Sequence, residues 1–111
     1  MKDFSGALED LNKAIEMDAR YTWPYLHRAQ VKIDQQDLSG AIEDCLQSLR
    51  LNPEFARAYF HLARAQIRQQ KLEDAKIGFM KYLKLTQQLT DLETKKSRQE
   101  IFEIFPELKT K

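Results

Sequence analysis

A segment of this chain is repeated at an interval of 34 residues, and no other feature of the sequence constrains the fold as strongly. The stretch GALEDLNKAIEMD begins at Gly6 and returns as GAIEDCLQSLRLN from Gly40. A third, more divergent copy, DAKIGFMKYLKLT, places Ala75 level with Ala7 and Ala41. A fixed period of this length is typical of a solenoid, in which each unit buries its apolar face against its neighbours.

The spacing of apolar residues predicts that the repeated unit is helical. The 111 residues include only three glycines and three prolines, and no segment alternates strictly between apolar and polar residues as a half-buried strand does. The pattern predicts five helices in the repeats and a sixth that ends before Pro106; the five cover residues 4–17, 22–36, 38–51, 53–70 and 72–85. We expect Thr22 to cap the second helix, Pro53 to open the fourth, and Thr90 with Glu93 to form a capping box for the sixth.

The composition excludes several classes of protein. Eighteen basic residues are balanced by seventeen acidic ones, and this net charge of +1 argues against a dedicated nucleic-acid binder or a polybasic membrane anchor. The longest apolar runs are far shorter than the roughly 20 residues that a membrane-spanning helix needs, and MKDFSGALED has no signal-peptide core. The single cysteine, Cys45, excludes an internal disulfide and fits a reducing compartment. We therefore expect a soluble, cytoplasmic protein.

Residue sizes at equivalent positions resemble the tetratricopeptide repeat (TPR), a helix-turn-helix unit of 34 residues. The third unit, from Ala56, carries the matching residues Tyr59, Leu62, Ala63, Leu72, Ala75, Phe79 and Leu83. The second carries Tyr25, Ala29, Leu38, Ala41, Leu49 and Asn52-Pro53, and the first supplies only a second helix, with Phe4, Ala7, Leu11, Ala14 and Ile15. The resemblance covers residues 3–86 and implies an all-α, right-handed helix-turn-helix repeat solenoid of about two and a half units.

The resemblance also implies a domain organisation. Residues 1–20 form the second helix of an incomplete first unit, 21–54 the second unit, 55–88 the third, 89–106 a C-terminal capping helix and 107–111 a flexible tail. Because the opening helix lacks the partner of its own unit, we expect either a piece of a longer array or a chain that borrows a helix from another copy.

Some positions depart from the family pattern. Arginine at 28 stands where TPR units usually have leucine, lysine at 32 and glutamine at 66 where they have tyrosine, and tyrosine at 82 where they have alanine. Cys45 occupies a position filled by Leu11 and Phe79 in the other units, so we expect a buried, unreactive thiol. The acid pairs at 9–10 and 43–44 are expected on exposed helix faces. Phe102 and Phe105 are expected to cover the last repeat, or alternatively to form a docking surface.

Two stripes of side chains suggest a binding face. Residues 57, 61, 64 and 68 share one side of the fourth helix, and residues 23, 27, 30 and 34 share the matching side of the second. In TPR proteins the first helix of each unit lines a concave groove, so the resemblance places both stripes there. The predicted peptide-binding groove comprises Trp23, His27, Gln30, Asp34, Arg57, Phe60, His61, Arg64 and Arg68. Arginine pairs well with carboxylates and Trp23 offers an apolar surface, which favours an acidic or carboxylate-terminated peptide. Alternatively, these residues form ordinary surface with internal pairs to Asp34 or to glutamates.

One TPR subgroup, the chaperone adaptors, clamps the terminal carboxylate of heat-shock proteins with lysine, asparagine and arginine. The matching positions here are Leu26, His27, Gln30, Arg57 and His61, which do not reproduce that clamp. Chaperone binding is therefore not inferred, although a partial basic half-clamp stays open.

The sequence contains no catalytic motif. It has two histidines and one cysteine, and it lacks a glycine-rich phosphate loop, an HExxH motif and a nucleophile elbow. His27 and His61 hold equivalent places on adjacent helices, but two histidines are too few for a structural zinc site. We therefore expect no enzyme activity, cofactor or metal.

The expected function is a protein interaction adaptor or scaffold, with no nucleic acid or membrane as partner. One alternative is a structural module that forms a homodimer through the unpaired N-terminal helix or the C-terminal helix. Another is the targeting region of a larger protein.

Overall fold

A computed structural model describes residues 4–109, which form an all-α helical-repeat solenoid with no strand in that range. The helices are α1 (Phe4–Met17), α2 (Thr22–Asp34), α3 (Leu38–Leu51), α4 (Ala56–Arg68), α5 (Leu72–Leu85), α6 (Leu92–Ile104) and the short 3-10 helix η1 (Pro106–Lys109). The repeats confirm the predicted helical period. None of the helices in this part of the chain is long and apolar enough to cross a bilayer.

Helices α1, α3 and α5 have the expected bounds, whereas the predictions for the start of α2 and α4 were wrong. Thr22 is the first residue of α2 and does not cap it, because the N-cap position belongs to Tyr21. Pro53 lies in a turn before α4. The side chain of Asn52 accepts a hydrogen bond from the Glu54 amide at 3.1 Å, and its carbonyl accepts one from the Phe55 amide at 3.0 Å. These bonds delay the helix to residue 56.

The cap of α6 is displaced by one residue from the predicted capping box. Asp91, and not Thr90, holds the N-cap position, where its carboxylate accepts hydrogen bonds from the Thr94 amide at 3.0 Å and the Thr94 hydroxyl at 2.7 Å. These bonds lower the pKa of Asp91. The carboxylate can serve two donors here, so aspartate displaces the neighbouring threonine as the cap.

Two glutamine turns reverse the chain within the repeats. Gln36 and Gln70 adopt left-handed backbone angles, with φ of 69° and 64°. The Asp37 amide then donates to the carbonyl of residue 32 at 2.8 Å, and the Lys71 amide donates to the carbonyl of residue 66 at 2.9 Å. This pattern closes each first helix and sets the next one antiparallel to it.

Small buried residues allow the helices to approach closely. Ala29 and Ala41 are fully buried in a core cluster formed by α2, α3 and α4, and Ala63 and Ala75 are fully buried in a second cluster formed by α4, α5 and α6. A Cβ atom on Gly78 would lie only 3.3 Å from the Ala63 Cβ, so the α4–α5 crossing has no room for a larger residue.

The remaining positions of both clusters hold larger side chains. Cys45 is buried in the first cluster, as predicted, and burial raises the pKa of its thiol to about 12. Tyr82, which replaces the usual alanine, is fully buried in the second cluster and packs against Phe60 with ring centroids 5.2 Å apart.

An ion network explains the polar departures in the second unit. Arg28 donates two hydrogen bonds to the Asp44 carboxylate, at 2.8 and 2.7 Å, and Lys32 lies 3.0 Å from the same group. Arg28 also donates to Asn12 at 2.8 Å, which joins α1 to α2. The expected exposure of Asp44 was wrong, since the residue is 4% exposed. Its carboxylate raises the pKa of Arg28 and balances the two cations that replace leucine and tyrosine.

The C-terminal segment covers the last repeat. Ile101 is fully buried in the second cluster, Phe102 is half-buried against it, and the Phe105 ring lies 6.1 Å from that of Phe79. The flexible tail expected from residue 107 is not observed up to residue 109, because Glu107 of η1 pairs with Lys76 at 3.0 Å. The final two residues of that predicted tail lie outside the described residues.

Candidate functional site

The nine predicted groove residues all lie on α2 or α4. These helices run parallel and in contact, since Gln30 Nε2 lies 3.1 Å from His61 Nε2 and Arg68 donates to the Ile33 carbonyl at 3.3 Å. Each of these bonds joins residues that are about one repeat apart. The period of 34 residues therefore sets equivalent faces of the two helices side by side.

His61 anchors the middle of this face and remains uncharged. It is only 6% exposed, and burial, together with Arg57 and Arg64, lowers its pKa to about 3. Because the amide nitrogen of Gln30 can only donate, the Nε2 atom of His61 accepts the hydrogen bond and the ring proton lies on Nδ1. The pair fixes the lateral position of α2 against α4.

A cleft of about 150 Å³ opens beside this pair. It is lined by Gln30, Ile33, Asp34, His61, Arg64 and Arg68. The structure thus brings five of the nine predicted residues into one recess, with two guanidinium groups facing one carboxylate. A recess of this size accommodates a single side chain or a chain terminus, and its polar lining suits a charged group.

Helix α6 forms a third wall that the sequence analysis did not anticipate. Arg57 donates to the Ser97 hydroxyl at 2.8 Å and lies 3.5 Å from the Glu93 carboxylate, while Arg64 lies 3.1 Å from Glu100. Two arginines of the stripe are therefore paired internally, as in the alternative interpretation. The spacing of Glu93, Ser97 and Glu100 on one helical face was the available signal.

Phe60 lies beneath the arginine stripe. The guanidinium carbons of Arg57 and Arg64 lie 5.0 and 5.4 Å from the centre of its ring, and the ring is 2% exposed. The side chain therefore supports the two arginines from the core and presents little surface to solvent.

Trp23 forms an apolar patch at the start of α2. It is 43% exposed and contacts Phe55 edge-on at a centroid distance of 4.8 Å and His27 at 5.5 Å. These contacts hold the indole in place while part of its surface stays open to solvent.

Comparisons with known proteins agree with this geometry. Tetratricopeptide repeat models match residues 24–55 and 45–77. The chain belongs to the tetratricopeptide repeat family. A search of curated proteins gave no significant match.

Solved TPR domains have the same fold. The chain resembles the first TPR of Spaghetti (RPAP3), solved with the HSP90 peptide SRMEEVD, at a TM-score of 0.77 and 22% identity, over 93% of this chain and 80% of that one. It resembles the TPR2B domain of yeast Sti1 in a complex with pHsp70 at 0.81 and 22%, with the same two coverages. The Arabidopsis OM64 TPR domain gives 0.77 and 18%, over 92% and 83%.

The TPR face described above differs from a site built for a metal. Within residues 4–109, no group of three or more histidine, cysteine, aspartate or glutamate side chains is arranged to hold an ion. His61 is buried and bonded to Gln30, whereas His27 is exposed beside Trp23. The two equivalent histidines therefore have different environments in adjacent TPR units.

Proposed function

We propose that this TPR chain is an adaptor or scaffold that binds a peptide segment of a partner protein in the groove between α2, α4 and α6, and that it performs no chemistry. The observation that carries the proposal is the cleft in which Arg64 and Arg68 converge with Gln30, Asp34 and His61. Two guanidinium groups in a recess between parallel helices suit a carboxylate of an extended ligand.

The internal ion pairs leave Arg64 available to such a ligand. The side chains of Arg64 and Glu100 are 41% and 38% exposed, and an ion pair exposed to this degree contributes only about 0–1 kcal/mol. A ligand carboxylate can therefore replace Glu100 at little cost. Arg68 donates one hydrogen bond to the Ile33 carbonyl, and its planar fork carries further N–H donors.

The solved neighbours support a peptide ligand of this class. SRMEEVD, the HSP90 peptide bound to the Spaghetti domain, carries two glutamates and ends in aspartate. The clamp positions of this chain hold Leu26, His27 and Gln30, so the proposal extends to acidic or carboxylate-terminated peptides and not to heat-shock proteins in particular.

Pools of synthetic heptapeptides test the proposal. Acidic, neutral and basic pools, each with a free or an amidated C-terminus, are titrated against the wild type and against Arg64→Glu/Arg68→Glu. We expect the acidic or free-carboxylate pools to bind the wild type and to lose affinity by about tenfold or more in the variant, because two attractive charges become repulsive.

A matched variant controls for overall charge. Arg20→Glu/Arg50→Glu makes the same charge change at exposed positions on the α1–α2 turn and on α3, and it should retain binding. Equal affinity of the groove variant and the wild type for the best pool would exclude the groove as the site.

A further inference from the structure

A second cleft lies at the C-terminal end of the solenoid, on α6 and η1. A cavity of about 550 Å³ is lined by Lys95, Arg98, Gln99, Phe102, Glu103, Pro106 and Lys109. A neighbouring cavity of about 310 Å³ shares Arg98, Phe102 and Lys109 with it and adds Lys84 at the end of α5. We call the two together the end cleft. None of its residues belongs to the predicted groove.

The end cleft concentrates positive charge. Its lining includes the cations Lys84, Lys95, Arg98 and Lys109 and a single acid, Glu103. Among residues 4–109, none of these three lysines lies within ion-pair distance of an acid. A local excess of this kind in a chain whose net charge is only +1 attracts anionic groups to that surface.

This environment differs from that of the groove. Arg57 and Arg64 pair with Glu93 and Glu100 of α6, so acidic side chains of the chain itself already neutralise that face. At the end cleft, Arg98 is fixed by a hydrogen bond to the Thr86 carbonyl and keeps its charge. The lysines around it are available to an incoming carboxylate.

The floor of the end cleft is apolar. Phe102 is half-buried against the second core cluster, and Pro106 follows the bend that ends α6. The volume of the larger cavity falls in the range of about 300–1,000 Å³ that is typical of ligand sites. A recess with an aromatic floor and a cationic rim receives an apolar side chain whose neighbours are acidic.

We infer that the end cleft is a second interaction site, which binds a short acidic segment of a partner protein by inserting one apolar side chain against Phe102. The occupant follows from charge complementarity with the three lysines. The surface is concave around its aromatic residue, whereas binding to a lipid surface requires apolar side chains that project beyond the cations.

A designed peptide tests this inference. The probe is fluorescein-labelled EEFEE with an amidated C-terminus, and EEAEE is its apolar control. We expect EEFEE to bind the wild type, EEAEE to bind more weakly, and Lys95→Glu/Lys109→Glu to reduce the affinity for EEFEE by about tenfold or more at low salt. Lys13→Glu/Lys71→Glu changes the net charge equally at exposed positions on α1 and before α5, and it should bind like the wild type.

The groove variant separates this site from the proposed function. If Arg64→Glu/Arg68→Glu abolishes EEFEE binding while Lys95→Glu/Lys109→Glu retains it, the peptide occupies the groove and the inference is wrong, although the proposed function stands. Failure of EEFEE to bind the wild type also overturns it, as does binding to phosphatidylserine vesicles without any peptide binding. Loss of groove binding alone leaves the end cleft intact.

Discussion

Replacement of Asp44 by alanine should lower the free energy of unfolding by about 2–3 kcal/mol. The substitution leaves Arg28 and Lys32, whose side chains are 22% and 21% exposed, without the carboxylate that balances them. Loss of one partner from a fully buried ion pair costs about 3–5 kcal/mol, and partial access of water to both cations reduces that figure. At roughly 4 °C per kcal/mol for a domain of this size, the melting temperature should fall by about 8–12 °C.

Urea unfolding followed by far-UV circular dichroism measures this effect. Asp10 is the matched control, because it occupies the equivalent position one repeat earlier but is exposed, so Asp10→Ala should change stability by less than about 0.5 kcal/mol. If Asp44→Ala is no more destabilising than Asp10→Ala, the ion network does not hold the second unit together.

A compensating variant tests the same reasoning in the opposite direction. Combining Asp44→Ala with Arg28→Leu and Lys32→Tyr removes both cations together with their partner and introduces the residues usual in TPR units. The triple variant should recover most of the lost stability, because well-packed apolar residues can replace a buried ion network without loss. Stability no better than that of Asp44→Ala would contradict this explanation of the departures.

Two further predictions concern the core. Because the pKa of His61 is about 3 in the folded chain and about 6.5 when unfolded, only the unfolded chain gains a proton as the pH falls below 6.5, and stability should drop by about 2 kcal/mol at pH 5. Unfolding titrations between pH 7 and 5 should show that His61→Gln removes this drop and that His27→Gln, at an exposed position, does not. Ala41 and Ala75 are fully buried, so Ala41→Leu or Ala75→Leu should lower stability by about 1–3 kcal/mol, and unchanged thermal unfolding in both would contradict the assigned packing.

The fold could be predicted from the sequence because its main determinant is periodic. A spacing of three and four residues defined each helix, and the 34-residue period set equivalent helices side by side. The local signals were less decisive: Asn52 bonds to the following turn and delays α4, and Asp91 outcompetes Thr90 as the cap of α6. The pairing of Asp44 with Arg28 is a contact between helices, which no spacing within one helix reveals.

The candidate site was predicted less completely than the fold. The stripe pattern correctly grouped Arg64, Arg68 and Gln30, since a helical period determines which side chains share a face. It did not reveal how deeply each side chain is buried. Phe60 and His61 are covered because α6, which lies outside the repeat, packs beside α4 and presents acids to the arginines.

The central claim is that the concave face of α2 and α4 binds a peptide, and chemical-shift mapping with the tightest-binding heptapeptide from the acidic pools tests it most directly. The account predicts that the perturbed signals cluster around Gln30, His61, Arg64 and Arg68 and include the indole of Trp23, the only tryptophan in the chain. Perturbations confined to α1, α3 and α5, with no change on α2 or α4, would contradict it.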